Sequence, residues 1–394
     1  LRPVTGRLAS TVSAGISRER RPLVKGVVVL ALALTFAVST ATFNATYRAQ
    51  AEADAQLTNG ADVTVTESPG SIVPPSQTSE LAAIPGVHAV EPVQHRFAYI
   101  GTDLQDLYGV RPDTIRRATA LQNSYFTGGT AAGLMATLIA RPDSILVSAE
   151  TVKDYQLHPG DAINLRLVDS RTRQRIAVAF HYVGVVSEFP TAPKDSFFVA
   201  NAAYITRRTG SAAVGSFLID TGGRNQHAVA AKVQAGLGAS ATVTDISTIR
   251  KSVGSSLTAV DLAGLTRVEL TFALLIAAAA GGLVLALGLA ERRRSLAIAT
   301  ALGARPKHLR AFIASETVVL GVGGLIGGAI TGWVLSQMLV KVLTGVFDPP
   351  PSALAVPWSY LAAVALLVAV GLVLVTAAAI RLARRPAINV LRRL

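Results

Sequence analysis

The sequence predicts a membrane α-helical bundle of four transmembrane helices, with an extracytoplasmic α+β domain inserted between the first and second. Three observations predict it. Four long apolar stretches carry almost no charge. Charged residues make up only 15% of the 394 residues, where soluble domains carry about a quarter. The basic residues also collect in three short segments that the spans would place on one side of a membrane.

A bilayer core about 30 Å thick is crossed by roughly 20 apolar helical residues. The first span is placed at 23–47, with the apolar run Gly26 to Thr46 as its centre. The second, 266–290, has no charge between Leu270 and Ala290. The third, 311–340, contains a single acid, Glu316. The fourth, 358–380, opens on Trp358 and Tyr360, aromatics suited to an interface, and closes before Arg381.

Charge orients these spans. Residues 1–25, 291–310 and 381–394 together hold 17 Lys and Arg against 2 acids, whereas 47–265 holds 18 against 19. The formal charge of +13 invites a nucleic-acid reading, but an excess confined to short flanking segments is a topology signal. The expected arrangement is a multi-pass cell-membrane protein in the lipid bilayer. Both termini are cytoplasmic, the large domain 48–262 and the loop 341–357 are outside, and nucleic acid is not a partner. Cysteine is absent, which excludes disulfides and thiol chemistry.

Within 48–262 the pattern alternates strands and short helices. Strands are expected at 61–66, 87–93, 144–148 and 162–167, the last pairing with 176–186 as a hairpin across Asp169 to Thr172. Helices are expected near 79–84 and 149–156. The run 216–220, a helix over 225–237 and 241–244 read as a β-α-β unit. The Gly- and Thr-rich segment 101–143 reads as a mobile insertion or second subdomain. No catalytic constellation stands out. His88, His95, His158, His181 and His227 never fall at metal-ligand spacing, and Asp103 and Asp106 read as a solvated turn. No GxSxG, SxxK or GxxxxGK[ST] motif occurs. The chain is therefore expected to have no catalytic, cofactor or metal site and not to be an enzyme.

Two features carry more information. The segment 291–310 leaves the second span at Arg292, Arg293 and Arg294, sets Leu296, Ile298 and Leu302 along a short helix, breaks at Gly303 and Ala304, and restarts at Pro306 with Arg305 and Lys307 beside it. It reads either as an element that passes force from a cytoplasmic partner or as a basic turn that only sets topology. In the third span, Gly324, Gly328 and Gly332 stand four apart, as do Gly323 and Gly327. Such spacing admits a closely packed helix, from the same bundle or from a second subunit. Glu316 reads as a structural acid in preference to an ion-path residue.

These residues resemble a family. Arg292, Arg293, Leu296, Leu302, Gly303 and Ala304, the glycine-rich span and the closing run from Arg384 to Arg392 look like the FtsX-type permease domain of the MacB, LolC/E and FtsX (type VII) ABC transporters. Gly60 to Val63, Ile84 to Val87 and Pro159 to Asp161 are similar to it as well. Ser295 departs where the family usually has Glu. The resemblance implies that 291–310 is a coupling segment docking on a separate cytoplasmic ABC ATPase dimer, which would hold the ATP and magnesium. It implies an outer domain of porter-like βαβ units and extracytoplasmic work by mechanotransmission on a protein, lipoprotein, peptide or lipid cargo. A regulator of a cell-wall hydrolase or sensor, and an ATP-independent membrane-anchored receptor, are the alternatives. The absence of an initial Met suggests the C-terminal module of a two-module permease, with Val4, Leu8, Val12 and Ile16 on an interfacial helix over 1–22. The second module would otherwise be a second subunit.

Overall fold

The structure is a computed structural model that describes residues 20–68, 71–192, 195–255, 306–343 and 353–383, with isolated positions between 268 and 279. The second span, most of the coupling segment, the 1–19 segment and the closing basic tail lie outside the described residues.

In chain order the main elements are α1 (Arg20–Asn59), β1 (Val63–Glu67), α2 (Gln77–Ala82), β2 (Ala89–Ile100), β3 (Asp103–Val110), β4 (Phe126–Thr127), α3 (Ala131–Ala140), β5 (Ser144–Ser148) and α4 (Ala149–Asp154). They continue with β6 (Ala162–Val168), β7 (Arg175–Val186), β8 (Phe197–Asn201), α5 (Ala202–Thr209), β9 (Ser216–Asp220), α6 (Gln226–Leu237), β10 (Ala241–Asp245), α7 (Ile246–Ser255), α8 (Pro306–Leu343) and α9 (Trp358–Ala383). The chain divides into two units. One comprises 1–49 and 261–394, and the other is 50–260.

Among the described residues three helices are long and apolar enough to cross a membrane: Leu23–Asn59, Ala314–Val342 and Trp358–Ala378. The chain is a membrane protein with an inserted domain. α1 has 40 residues, about 60 Å at the usual rise, twice what a bilayer core requires. It outlasts the apolar run because residues 50–57 are mostly Ala, Glu and Gln, which favour helix. It stops at Gly60, whose φ of +85° a side chain adopts only with strain. α8 opens at Pro306, where a missing N–H costs nothing. Leu30, Leu34, Leu320, Val364 and Leu372 form the buried contact of the three helices.

The second unit is built on one mixed sheet with two parts. In the first, β1 lies between β10 and β9, antiparallel to both, so β9-α6-β10 is a β-α-β unit split by β1. The expectation of a simple unit is thereby corrected. β1 arrives from α1 with two alternating faces, and its buried Val63 and Val65 complete a core with Phe217, Ile219, Val229 and Val233. In the second part the order β2-β3-β8-β5-β7 is closed by β6, which pairs with β7 along its length and with β2 at Tyr99 and Arg166. Phe180, Phe198, Tyr182, Leu165 and Ile145 fill the inside of this six-stranded circuit.

The segment 101–143 is neither an insertion nor a separate subdomain. β3 pairs with β2 and β8, and Leu107, Tyr108, Ile115, Tyr125 and Leu138 are buried. Its weak periodicity comes from mixed short elements, β3, two 3-10 turns, the two-residue β4 and α3, each contributing between one and four core side chains. Asp103 and Asp106 likewise stand in β3, not in a turn. The Tyr155 hydroxyl donates to Asp103 Oδ2 at 2.6 Å, and Asp106 Oδ1 lies 2.5 Å from His95 Nε2.

Candidate functional site

Of the residues singled out in the sequence, the glycines of α8 are the best placed. Their neighbours all lie on α1. A Cβ at Gly324 would stand 2.6 Å from Leu30 Cδ2. At Gly328 it would stand 2.5 Å from Leu34 Cβ and 3.0 Å from the Ala31 carbonyl oxygen, and at Gly332 2.7 Å from Val38 Cβ. Gly323 and Gly327 face Val27 and Ala31, at 3.2 and 3.3 Å. These separations are below ordinary van der Waals contact, so only a residue without Cβ lets the two backbones approach this closely. Of the two partners open in the sequence, another span or a second subunit, the structure seats this face on the chain's own first helix.

The complementary face on α1 was not among the residues singled out in the sequence. Val27, Leu30, Ala31, Leu34, Thr35 and Val38 occur at i, i+3, i+4, i+7, i+8 and i+11, a helical stripe that was available as a signal. Hydroxyls finish the seam. The Thr35 and Thr331 hydroxyls meet; one donates to the other, whose proton goes to the carbonyl four residues before it, Ala31 lying 2.8 Å from Thr35 Oγ1 and Gly327 2.7 Å from Thr331 Oγ1. Between α8 and α9 the hydroxyls of Thr317 and Thr376 meet at 2.8 Å. Thr46 Oγ1 accepts from the Ala355 N–H at 3.0 Å. Glu316 is half-buried and already engaged by its surroundings.

The coupling residues are less visible. Arg292, Arg293, Leu296, Leu302, Gly303, Ala304 and Arg305 lie outside the described residues, and Lys307 is described only as the second residue of α8.

In the inserted unit, each of the five histidines stands beside an aspartate. His181 Nδ1 is 2.8 Å from Asp143 and His227 Nδ1 is 3.1 Å from Asp245, while the His158–Asp161 and His88–Asp220 pairs are looser at 3.8 and 3.9 Å. Among the described residues no three potential ligands gather into a metal site.

The root of the inserted unit, where the chain arrives and leaves, is tied by polar contacts. Asp62 Oδ2 accepts from Thr221 N at 2.9 Å, Thr221 Oγ1 at 2.8 Å and Gly223 N at 2.9 Å. Burial alone would raise the Asp62 carboxyl, but these donors outweigh it and hold the group below its usual range. Asp245 begins α7, accepting from Thr248 N at 3.0 Å and Thr248 Oγ1 at 2.8 Å. Its carboxyl is likewise held well below normal despite desolvation. Thr244 Oγ1 donates to Asn59 Oδ1 at 2.7 Å, and Arg250 Nε to Glu52 Oε2 at 2.6 Å.

Residues 267–387 match the FtsX-like permease C-terminal family. Two of the solved structures that resemble part of the chain are extracytoplasmic domains. The periplasmic region of MacB from Actinobacillus actinomycetemcomitans is 11% identical, with 50% of this chain and 95% of that one covered and a TM-score of 0.32. The extracellular domain of the noncanonic ABC-type transporter YknZ from Gram-positive bacteria is 12% identical, covering 46% and 99%, with a TM-score of 0.31. No curated protein matched the sequence. The stretch from the second span to the closing basic tail, glycine face included, makes this chain a membrane protein that carries an FtsX-like permease C-terminal region.

Proposed function

We propose that this chain is the permease module of an ABC transporter that turns ATP hydrolysis in a separate cytoplasmic ATPase dimer into conformational work by its extracytoplasmic domain. The observation that carries this reading is the FtsX-like match over 267–387, which contains the whole coupling segment 291–310. ATP and magnesium belong to the partner subunit. Nucleotide-driven closure of the ATPases moves the coupling segment, and with it the start of α8. The close contact of α8 with α1 carries that motion sideways, since two backbones separated by glycines slide or tilt together. α1 is unbroken from Arg20 to Asn59, so a shift in its membrane half reaches β1 through the backbone. The cargo is a protein, lipoprotein, peptide or lipid handled outside the membrane. A second permease module, in the same polypeptide or as a second subunit, completes the machine.

The test is co-purification of the full chain with its cognate ABC ATPase in detergent, followed by ATPase assay with and without the permease. Gly303→Val and Arg305→Glu are expected to abolish association or uncouple it from stimulated hydrolysis. Unchanged association and stimulation in both variants would remove the coupling assignment and leave a membrane-anchored receptor.

A further inference from the structure

The outer wall of the six-stranded circuit carries a patch that no described residue of the inserted unit covers. In the β2–β3 pairing Tyr99 stands opposite Leu104 and Phe97 lies diagonal to it. β6 brings Arg166 opposite Tyr99, and β7 brings Arg175 opposite Val168. Strand alternation sends Ala98, Ile100, Leu165 and Leu167 to the inside and these six side chains to the outside. Phe97 is 60% exposed, Leu104 51% and Val168 49%. Single exposed apolar residues are ordinary, but a cluster of them around one aromatic ring marks a contact surface.

The cations define what that surface accepts. Both guanidinium groups lie over the Tyr99 ring, Arg175 at 4.3 Å and Arg166 at 5.4 Å from its centre. Arg166 donates to the Gly101 carbonyl and Arg175 to the Tyr99 hydroxyl at 3.4 Å. Among the described residues neither is paired with a carboxylate, although Arg111 and Arg250 of the same unit are. Two forks held by one ring and left without a counter-charge are preorganised for carboxylates.

We propose that this wall is the docking surface for an acidic, apolar-bearing segment of a partner protein. Asp or Glu side chains would meet Arg166 and Arg175, and adjacent apolar side chains would cover Phe97 and Leu104. Tyr, Phe and Arg together are the residues that dominate protein interfaces. A lipid fits less well, because the circuit's interior is filled by Phe180, Phe198 and Tyr182 and leaves an acyl chain no sheath. The proposal deepens the proposed function and rests on it only for the compartment in which the partner waits.

The experiment uses the full chain in phosphatidylcholine nanodiscs, immobilised on a biosensor. The probes are short synthetic peptides carrying Asp and Glu beside Leu and Phe, the same peptides with Asn and Gln in place of the acids, and vesicles rich in phosphatidylglycerol. Acidic peptides are expected to bind, their amide counterparts to bind at least about tenfold more weakly, and the double variant R166E/R175E to lose the preference. Phe97→Ser should weaken binding, and Arg141→Glu, outside the patch, should leave it unchanged. Acidic peptides binding no better than their amides, or binding equally to R166E/R175E, would overturn the proposal. Vesicles that bind through these residues in place of peptides would overturn it in favour of a lipid surface. ATPase association is measured on the same samples. Peptide failure with that association intact strikes this surface alone, whereas loss of association in the unaltered chain strikes the coupling reading.

Discussion

Single side chains at the root of the inserted unit carry unusual weight because they satisfy backbone donors that have no other outlet. Asp62 is the clearest case, since one carboxylate oxygen takes three donors from the Thr221–Gly223 turn. Replacing it by Ala strands those donors and is expected to cost about 2–3 kcal/mol, the penalty for leaving buried or charge-assisted hydrogen bonds unmade. Chemical unfolding of the full chain in detergent measures this directly. The same contacts make stability depend on pH. The folded-state value of Asp62 lies below 3.8, so its contribution is present above that pH and disappears as pH falls through the folded value. The unaltered chain should therefore lose stability faster than Asp62→Asn on acidification below about pH 4, followed as unfolding temperature against pH. Asp62 sat in a family-like motif in the sequence. Its partners, about 160 residues away, could not be read there, because contacts between loops leave no periodic trace.

At the scale of elements, two kinds of packing hold the molecule, and each yields a substitution. Between α1 and α8 the constraint is distance. Gly328→Ala places a methyl against Leu34 Cβ and the Ala31 carbonyl, atoms that cannot swing away. The expected cost is about 1–3 kcal/mol of helix-packing stability. Gly371→Ala in α9, where nothing lies within 4 Å, should be neutral or slightly stabilising, as Ala is the better helix former. Thermal unfolding of the two variants side by side in one detergent separates crowding from helix propensity. Inside the β2–β8 circuit the constraint is volume. Phe180 is fully buried with its ring edge-on to Tyr204, centroids 5.3 Å apart. Phe180→Ala is expected to lower stability by about 3–5 kcal/mol, a loss that the same unfolding measurement reads. The glycine spacing in α8 and the alternation in β6 and β7 were both legible as patterns. The β6–β7 hairpin was legible as well, but the seating of α8 on α1 and the reach of β6 to β2 were not, because a period identifies a face without identifying a distant partner.

For the whole molecule, the division at residues 49/50 and 260/261 leaves all three cores of the inserted unit within one stretch of chain. A fragment spanning 50–260 is expected to fold alone and unfold in a single cooperative transition, checked by circular dichroism during heating. A fragment that stays unfolded would mean that this unit depends on the membrane helices. Long apolar runs, basic clusters between them and the hairpin at 291–310 were sufficient, by themselves, to determine that this is a membrane protein with an inserted domain and an FtsX-like C-terminal region. Those properties are local: a span is an unbroken apolar run, and a family motif is a string of neighbours. The tertiary structure decided what depends on meetings between distant segments. It seated the glycine face on α1, slid β1 between β9 and β10, drew 101–143 into the sheet and set two arginines over the half-buried ring of Tyr99. Closing a sheet or docking a helix joins residues that are far apart in sequence, and one-dimensional patterning specifies their faces but not their partners.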